Sequence, residues 1–517
     1  MAVKPFKNEP LTDFTRPANR KAMEQALAKV RSWMGREYPL VIGGEEIRTN
    51  DLLKSTNPSR PSEVVASFSK ADAALAGKAI ETAAATFGTW KDVDPKKRAD
   101  YLFKAAALMR KRKHEFSAVM IYEVGKTWPE ADADTAEAID FLEFYARDML
   151  RYAGKQPLTK HPQEKNELWY IPIGVGVVVP PWNFALAILT GMTSAAVVTG
   201  NAVVLKPSSD SPWTGWMFFS LMREVGLPAG VLNFVAGSGG SVGDVLVAHP
   251  KTRFVSFTGS KEVGIHINEL AAKVQPGQRW LKRVVAEMGG KDAIVIDDQT
   301  DLAAAVQATV ASAFGFQGQK CSAASRAIVV ASVYDKFVAL LAEKVNAIKV
   351  GVSDDPANYM GPVVNKASRD KILQYIDIGV REGGRLLTGG KAEGEGYFVQ
   401  PTVIVDVAPT ARIAQEEIFG PVLAVIKVKD FDEALAVANN TEFGLTGGVW
   451  TKNRKKIEKA KKVFHVGNFY ANRKITGALV GVHPFGGFNM SGTDSKAGGR
   501  DYLLLFMQAK ALSEKVR

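Results

Sequence analysis

The sequence predicts an α/β protein with two parallel-sheet domains behind a largely helical N-terminal region. Three observations carry this. Short β-rich runs begin at Ile173 and alternate with helical stretches, a second alternation of the same kind begins at Ala293, and the preceding region repeats apolar residues at helical spacing. Strands separated by helices need crossover connections, which bring each strand back parallel to the last.

In residues 97–116, Leu102, Ala105, Ala106 and Met109 fall at i, i+3, i+4 and i+7, one face of a helix. Residues 131–150 form a second helical stretch, with Ile139, Leu142 and Tyr145 as its apolar positions. Strands are expected at 175–179, 202–205, 231–235 and 254–257, with helices at 184–198 and 213–225. This is the architecture of a dinucleotide-binding domain. The second alternation has strands at 293–296 and 327–330 and helices at 302–314 and 334–348, and it continues to about Tyr470. The apolar run 503–506 before a charged end is expected to form an intersubunit strand. The chain carries no internal repeat and no low-complexity linker.

The 517 residues suggest two to four folding units at roughly 100–200 residues each. With 46% apolar and 23% charged residues the composition is that of an ordinary globular protein. The longest apolar candidate, 184–198, is broken by Gly191, Thr193 and Ser194, so a buried helix is expected and no membrane span. Met1 to Asp13 lacks an apolar core and a small-residue cleavage site, so a cytoplasmic location is expected. The net charge, 66 − 54 = +12, is spread along the chain and interleaved with acids. Its densest cluster, Arg454 to Lys462, reads as the wet face of a surface helix. Nucleic-acid binding is not expected, whereas a mild positive field suits anionic ligands. A single cysteine, Cys321, excludes an internal disulfide and a thiolate metal cluster, and no metal is expected.

Five segments carry chemistry. Gly315 and Gly318 precede Cys321, and glycines there let the backbone approach a substrate closely. A cysteine attacking carbon must be a thiolate, a form favoured by a neighbouring cation such as Lys320 or by backbone dipoles. Glu287 follows an apolar strand and precedes Gly289 and Gly290; desolvation there would tune it as a general base, while pairing with Lys291 is the structural alternative. Asn183, after Pro180-Pro181-Trp182, offers a neutral donor for an oxyanion or a cap for the helix at 184. Lys206-Pro207-Ser208-Ser209 follows a strand. Gly259-Ser260 opens a helix, a fitting phosphate site. No Gly-x-Gly-x-x-Gly fingerprint stands where a dinucleotide domain would need it, and Gly237 to Gly240 reads as a plain turn.

Taken in order, these segments resemble the aldehyde dehydrogenase superfamily. The match runs through Pro181-Trp182-Asn183, Lys206-Pro207, Phe257-Thr258-Gly259-Ser260, Glu287 to Lys291, Gly318 to Cys321, Glu417 to Pro421 and Pro484 to Gly492. The resemblance implies an aldehyde dehydrogenase-like fold: a Rossmann-type dinucleotide-binding domain (1–155 and 175–286), a catalytic domain (287–475), a small oligomerisation flap (156–174 and 495–517) and a loop at 476–494 returning to the first domain. It implies Cys321 as nucleophile, Asn183 with the Cys321 N–H as oxyanion hole, and Glu287 as activator of the hydrolytic water. Lys206 would bind the adenosine ribose, Gly259 and Ser260 the pyrophosphate, and Glu417 the nicotinamide ribose, with Phe419 near the ring. The cofactor implied is NAD, with NADP tolerated because Ser209 stands where strictly NAD-using relatives carry glutamate.

Within the superfamily the chain resembles the branch acting on L-glutamate γ-semialdehyde, in proline and arginine catabolism. Residues 131–141, 315–322 and 476–485 carry this narrower match. It implies that Ser322, Gly477 and Ala478 grip a carboxylate, that Phe184 and Phe485 sandwich the aldehyde chain, and that Glu137 lies near an ammonium group. A homodimer or higher homo-oligomer is implied. Ala185 and Arg473-Lys474-Ile475 depart from the branch, the latter beside the carboxylate loop. The alternatives are an enzyme for another ω-semialdehyde, a coenzyme-A-acylating relative, which Glu287 argues against, and a non-catalytic protein on this fold.

Overall fold

The computed structural model describes residues 4–516; residues 1–3 and 517, the outer ends of the expected N-terminal domain and flap, lie outside the described residues. Two seven-stranded sheets organise the chain. The first runs in the order Arg283–Glu287, Thr252–Thr258, Val175–Val179, Ala202–Leu205, Leu232–Phe234, Leu40–Ile42, Glu45–Ile47. Its first five strands are mutually parallel, and the last two pair antiparallel. The second sheet runs Arg385–Thr388, Thr402–Val405, Val422–Val428, Arg326–Val330, Ala293–Ile296, Thr446–Trp450, Asn468–Ala471, parallel except at its first strand.

The central strands are continuous apolar runs because both of their faces are covered. Ala202–Leu205 and Ala293–Ile296 are buried at every residue. One hydrophobic core lies around the first sheet, and two more occupy the two faces of the second. The helical face expected from sequence packs inward: Leu102, Ala105, Ala106 and Met109 are fully buried on Pro95–Lys111. That helix stops at Arg112, and Lys113–Val124 continues as a separate helix. The long helix Trp128–Tyr152 follows.

Two expectations need correcting. The N-terminal region holds five strands between Arg36 and Ser69, among them Leu40–Ile42 and Glu45–Ile47 of the first sheet. Three buried residues are too short a run to show a period. The usable signal was Gly43-Gly44, whose positive φ values of 64° and 89° close a tight hairpin. The apolar run 503–506 is not an intersubunit strand: it forms the short helix Tyr502–Phe506, with Leu503 and Phe506 fully buried in the main core. The strand is the polar segment after it, Met507–Lys515, which pairs antiparallel with Glu164–Pro172 over nine residue pairs as a projecting, largely exposed two-stranded arm. With only Met507, Ala509, Ala511 and Leu512 apolar and no two of the first three adjacent, it escapes a search for apolar runs.

The basic cluster lies on the helix Arg454–Val463, of which only Ala460 is buried. No described helix is long and apolar enough to cross a membrane.

Candidate active site

The helix Leu302–Phe314 ends at Gly315, and a short turn carries the chain to Cys321. Within it Phe316 and Gln317 adopt left-handed conformations, φ 49° and 57°, which non-glycine residues rarely hold without support. The support is local: Gln317 Nε2 donates to the carbonyls of Gly125 (3.0 Å) and Pro362 (2.8 Å). Facing this turn, a Cβ on Gly290 would lie 2.4 Å from the Cys321 carbonyl, and one on Gly289 would lie 2.5 Å from a Glu417 oxygen. The paired glycines after Glu287 are therefore required by close approach.

Burial pushes the Cys321 thiol well above its usual range, and the carboxylates of Asp292, Glu417 and Glu287 push it the same way. The adjacent Lys320 does not offset this, contrary to the expectation from sequence. Its ammonium is engaged by Glu130 at 2.7 Å. Burial therefore favours the thiol over the thiolate in the free protein.

Glu287 ends the strand Arg283–Glu287. Burial raises its carboxyl to about 8, against hydrogen bonds from the Ser495 hydroxyl to Oε1 and from the Gly487 N–H to Oε2 (3.3 Å). It does not pair with Lys291, whose buried ammonium has no hydrogen-bond partner among the described residues and is lowered to about 7 by burial. The capping alternative for Asn183 fails as well. The helix begins at Ala187, and Asn183, 4% exposed, donates from Nδ2 to the Gln319 carbonyl at 3.0 Å. An amide has two N–H donors, and this bond, to the residue two before Cys321, uses one of them.

A cavity of about 90 Å³ brings Cys321, Ser322, Glu287 and Glu137 together, walled by Phe184 and Phe485. Gly477 and Ala478 also line it. Among the described residues neither of their backbone N–H groups has a protein acceptor, and Gly477 sits at φ 74°. Burial first, then the charge of Asp134, raises Glu137 to about 8. The departure at 473–475 braces this loop: Arg473 Nη2 donates to the carbonyls of Thr476 (3.2 Å) and Gly477 (3.4 Å), while Ile475 is fully buried. Sequence reading missed Thr258, Tyr145 and Tyr502 of the cavity wall, and Ser495. Tyr145 had been legible only as an apolar helix position.

A second cluster lies at the strand ends of the first sheet. Lys206 is buried, its ammonium hydrogen-bonded among the described residues only to the Pro207 carbonyl at 3.4 Å, and burial lowers it to about 8. Exposed Ser209 lies three residues on. Ser238 to Gly243 is not a plain turn: it winds into a helical turn running into Asp244–Ala248, and a Cβ on Gly243 would sit 3.8 Å from Lys206 Cε. Ser260, preceded by Gly259, caps the helix Lys261–Ala272, accepting from Val263 N–H at 3.3 Å. Glu417 Oε1 accepts from Gly290 N–H at 3.0 Å, and the ring of Phe419 meets Trp182 edge-on, 5.5 Å between centroids. Lys206 follows the strand Ala202–Leu205 and Ser260 the strand Thr252–Thr258, so a buried amine and a helix N-terminus, a setting that favours anions, stand at the ends of two strands of this sheet.

This fold, with a thiol and a buried carboxyl lining one cavity, is that of an oxidoreductase. The profile of the aldehyde dehydrogenase family matches residues 46–512, and the chain belongs to that family. It is 58% identical to a 1-pyrroline-5-carboxylate dehydrogenase of a Geobacillus species and 58% identical to one of Anoxybacillus flavithermus, each over 99% of both chains. The crystal structure of a Thermus 1-pyrroline-5-carboxylate dehydrogenase with bound NAD superposes with a TM-score of 0.98 at 52% identity, covering all of both chains.

Proposed function

We propose that this protein oxidises L-glutamate γ-semialdehyde, the open form of 1-pyrroline-5-carboxylate, to L-glutamate with NAD, in proline and arginine breakdown. The observation that carries the reading is the single cavity joining Cys321 and Glu287 to Ser322 and the open N–H groups of Gly477 and Ala478. An uncharged aldehyde needs no such donors. A terminal carboxylate does, because charge-assisted hydrogen bonds are about twice as strong as neutral ones.

Cys321 gives its thiol proton to water as Sγ bonds to the aldehyde carbon, and the carbonyl oxygen becomes an oxyanion. The free Asn183 N–H and the Cys321 backbone N–H receive it, each donor being worth about 2.7–4 kcal/mol. Bound NAD supplies the hydride acceptor that makes the adduct a thioester. Glu287 takes a proton from water, which cleaves the thioester and restores the thiol. Phe184 and Phe485 hold the chain, and Glu137 faces the ammonium. Lys206 and Ser209 hold the adenosine ribose, Gly259 and Ser260 the pyrophosphate, and Glu417 and Phe419 the nicotinamide end. NADP is tolerated, since Ser209 brings no charge against a 2′-phosphate.

The domain division follows the same reading: 1–155 with 175–286 for the cofactor, 287–475 for catalysis and 476–494 as the substrate loop, while of the expected flap, 156–174 with 495–517, the arm takes Glu164–Pro172 and Met507–Lys515 and the part before Met507 packs on the core and the cavity. The projecting arm supports assembly into a homo-oligomer. A free thiol nucleophile suits the reducing cytoplasm.

Steady-state kinetics test the function. The semialdehyde should exceed butanal in kcat/KM, and L-glutamate should compete with it. Equal efficiency with butanal and no inhibition by glutamate would remove the substrate assignment and leave the family's chemistry intact.

A further inference from the structure

Lys126 follows the left-handed Gly125 that ends the helix Lys113–Val124, and its side chain is fully buried. Its ammonium pairs with the equally buried Asp134 at 2.8 Å. The same ammonium lies 4.5 Å from the ring centroid of Phe184 and 4.4 Å from that of Phe316. Phe184 is a wall of the cavity and adjoins Asn183. Phe316 is the left-handed residue in the turn before Cys321. Asp134 reaches the first of these segments from its other oxygen, Oδ1 accepting from Ala187 N–H at 2.6 Å. The backbone repeats the second link, since the Gly125 carbonyl accepts from Gln317 Nε2 at 3.0 Å.

We propose that Lys126 is a positioning residue, whose ammonium, clamped between the rings of Phe184 and Phe316 and anchored by Asp134, fixes the substrate wall and the nucleophile turn relative to each other. A cation on a ring face is attracted most strongly where water is absent, and here one cation serves two rings on separate segments. A bulky residue in the left-handed region persists only where its surroundings impose it. Methionine fills the same space without the charge, so it tests the clamp rather than the packing. The inference rests on the reading of Cys321 as nucleophile.

Three full-chain variants decide it: Lys126→Met, Lys126→Arg, and Lys126→Met with Asp134→Asn, which leaves no unpaired buried charge. Because Cys321 is the sole cysteine, iodoacetamide reports the position of the thiol independently of turnover. Lys126→Met is expected to lose about a hundredfold in kcat, the scale of a small misplacement of reacting groups, for the semialdehyde and butanal alike. It should also slow alkylation of Cys321 while leaving NAD affinity unchanged. Lys126→Arg should recover most of both rates. If Lys126→Met does not fold, the double variant carries the test, and its turnover should remain low. Wild-type turnover and alkylation in either charge-free variant, with the fold intact by thermal melting, would overturn the proposal. Cys321→Ser is the separate control: NADH formation there would remove the nucleophile assignment and not the clamp.

Discussion

The Ser495 hydroxyl donates to Oε1 of Glu287, a residue 208 positions earlier in the chain, and with Gly487 N–H it opposes the burial that raises that carboxyl. The hydrogen bond favours the ionised form, the form a general base needs. Removing it in Ser495→Ala should drive the carboxyl further above its present value of about 8. The acid limb of the pH–rate profile for thioester hydrolysis should move to higher pH, and Ser495→Thr should move it back. An unshifted limb in Ser495→Ala would show that the hydroxyl does not tune the base.

Glu287→Gln separates the two halves of the reaction. Hydride transfer precedes hydrolysis, so a stopped-flow trace should show a burst of NADH near one per site followed by a collapsed steady rate. The same substitution has a stability signature. The folded-state value near 8 lies above the ordinary 4.5, so between those pH values the folded state binds more protons than the unfolded, and this group's contribution falls as pH rises. Glutamine does not titrate. Relative to wild type, the variant should gain stability by pH 8, on the order of a few kcal/mol, and gain little at pH 5. Melting curves at the two pH values measure this.

The parts of the molecule legible in the sequence are those coded locally. The core strands Ala202–Leu205 and Ala293–Ile296 were readable because covering both faces leaves only apolar residues. Cys321 and Glu287 stood out through their flanking motifs, and the fold brings both into one cavity wall. The groups that tune them were not legible. Ser495 and Lys126 sit in unremarkable contexts and gain meaning only when distant segments pack together. The sequence also pointed to Lys320 as a cation for the thiol, but adjacent side chains diverge, and Lys320 turns to Glu130 instead.

Cofactor choice should be adjustable at one exposed position. Ser209 lies three residues beyond the buried cation of Lys206. A glutamate there would accept bonds from ribose hydroxyls and repel a 2′-phosphate. Ser209→Glu should therefore raise KM for NADP while changing KM for NAD little or lowering it. Equal losses for both cofactors would place the ribose elsewhere.

Substrate choice should reside in carboxylate recognition. Ser322, 5% exposed, lines the cavity with Gly477 and Ala478, whose N–H groups have no protein acceptor among the described residues. Gly477 is exposed and Ala478 half-buried, so water meets their N–H groups until a carboxylate replaces it with charge-assisted hydrogen bonds, about twice as strong as neutral ones, a gain that an analogue lacking the carboxylate forgoes. Ser322→Ala should reduce kcat/KM for the semialdehyde by about 1.5–3 kcal/mol, the range for a hydrogen bond to a charged group. Butanal, which offers no charge to that loop, should be oxidised by the variant as by wild type. The Ki for L-glutamate should rise together with the semialdehyde effect, since substrate and product share the carboxylate. A variant that loses both aldehydes equally would place Ser322 with the nucleophile rather than with specificity. A variant that loses neither would leave recognition to the backbone of Gly477 and Ala478, where Ala478→Pro, which deletes one N–H, becomes the informative substitution.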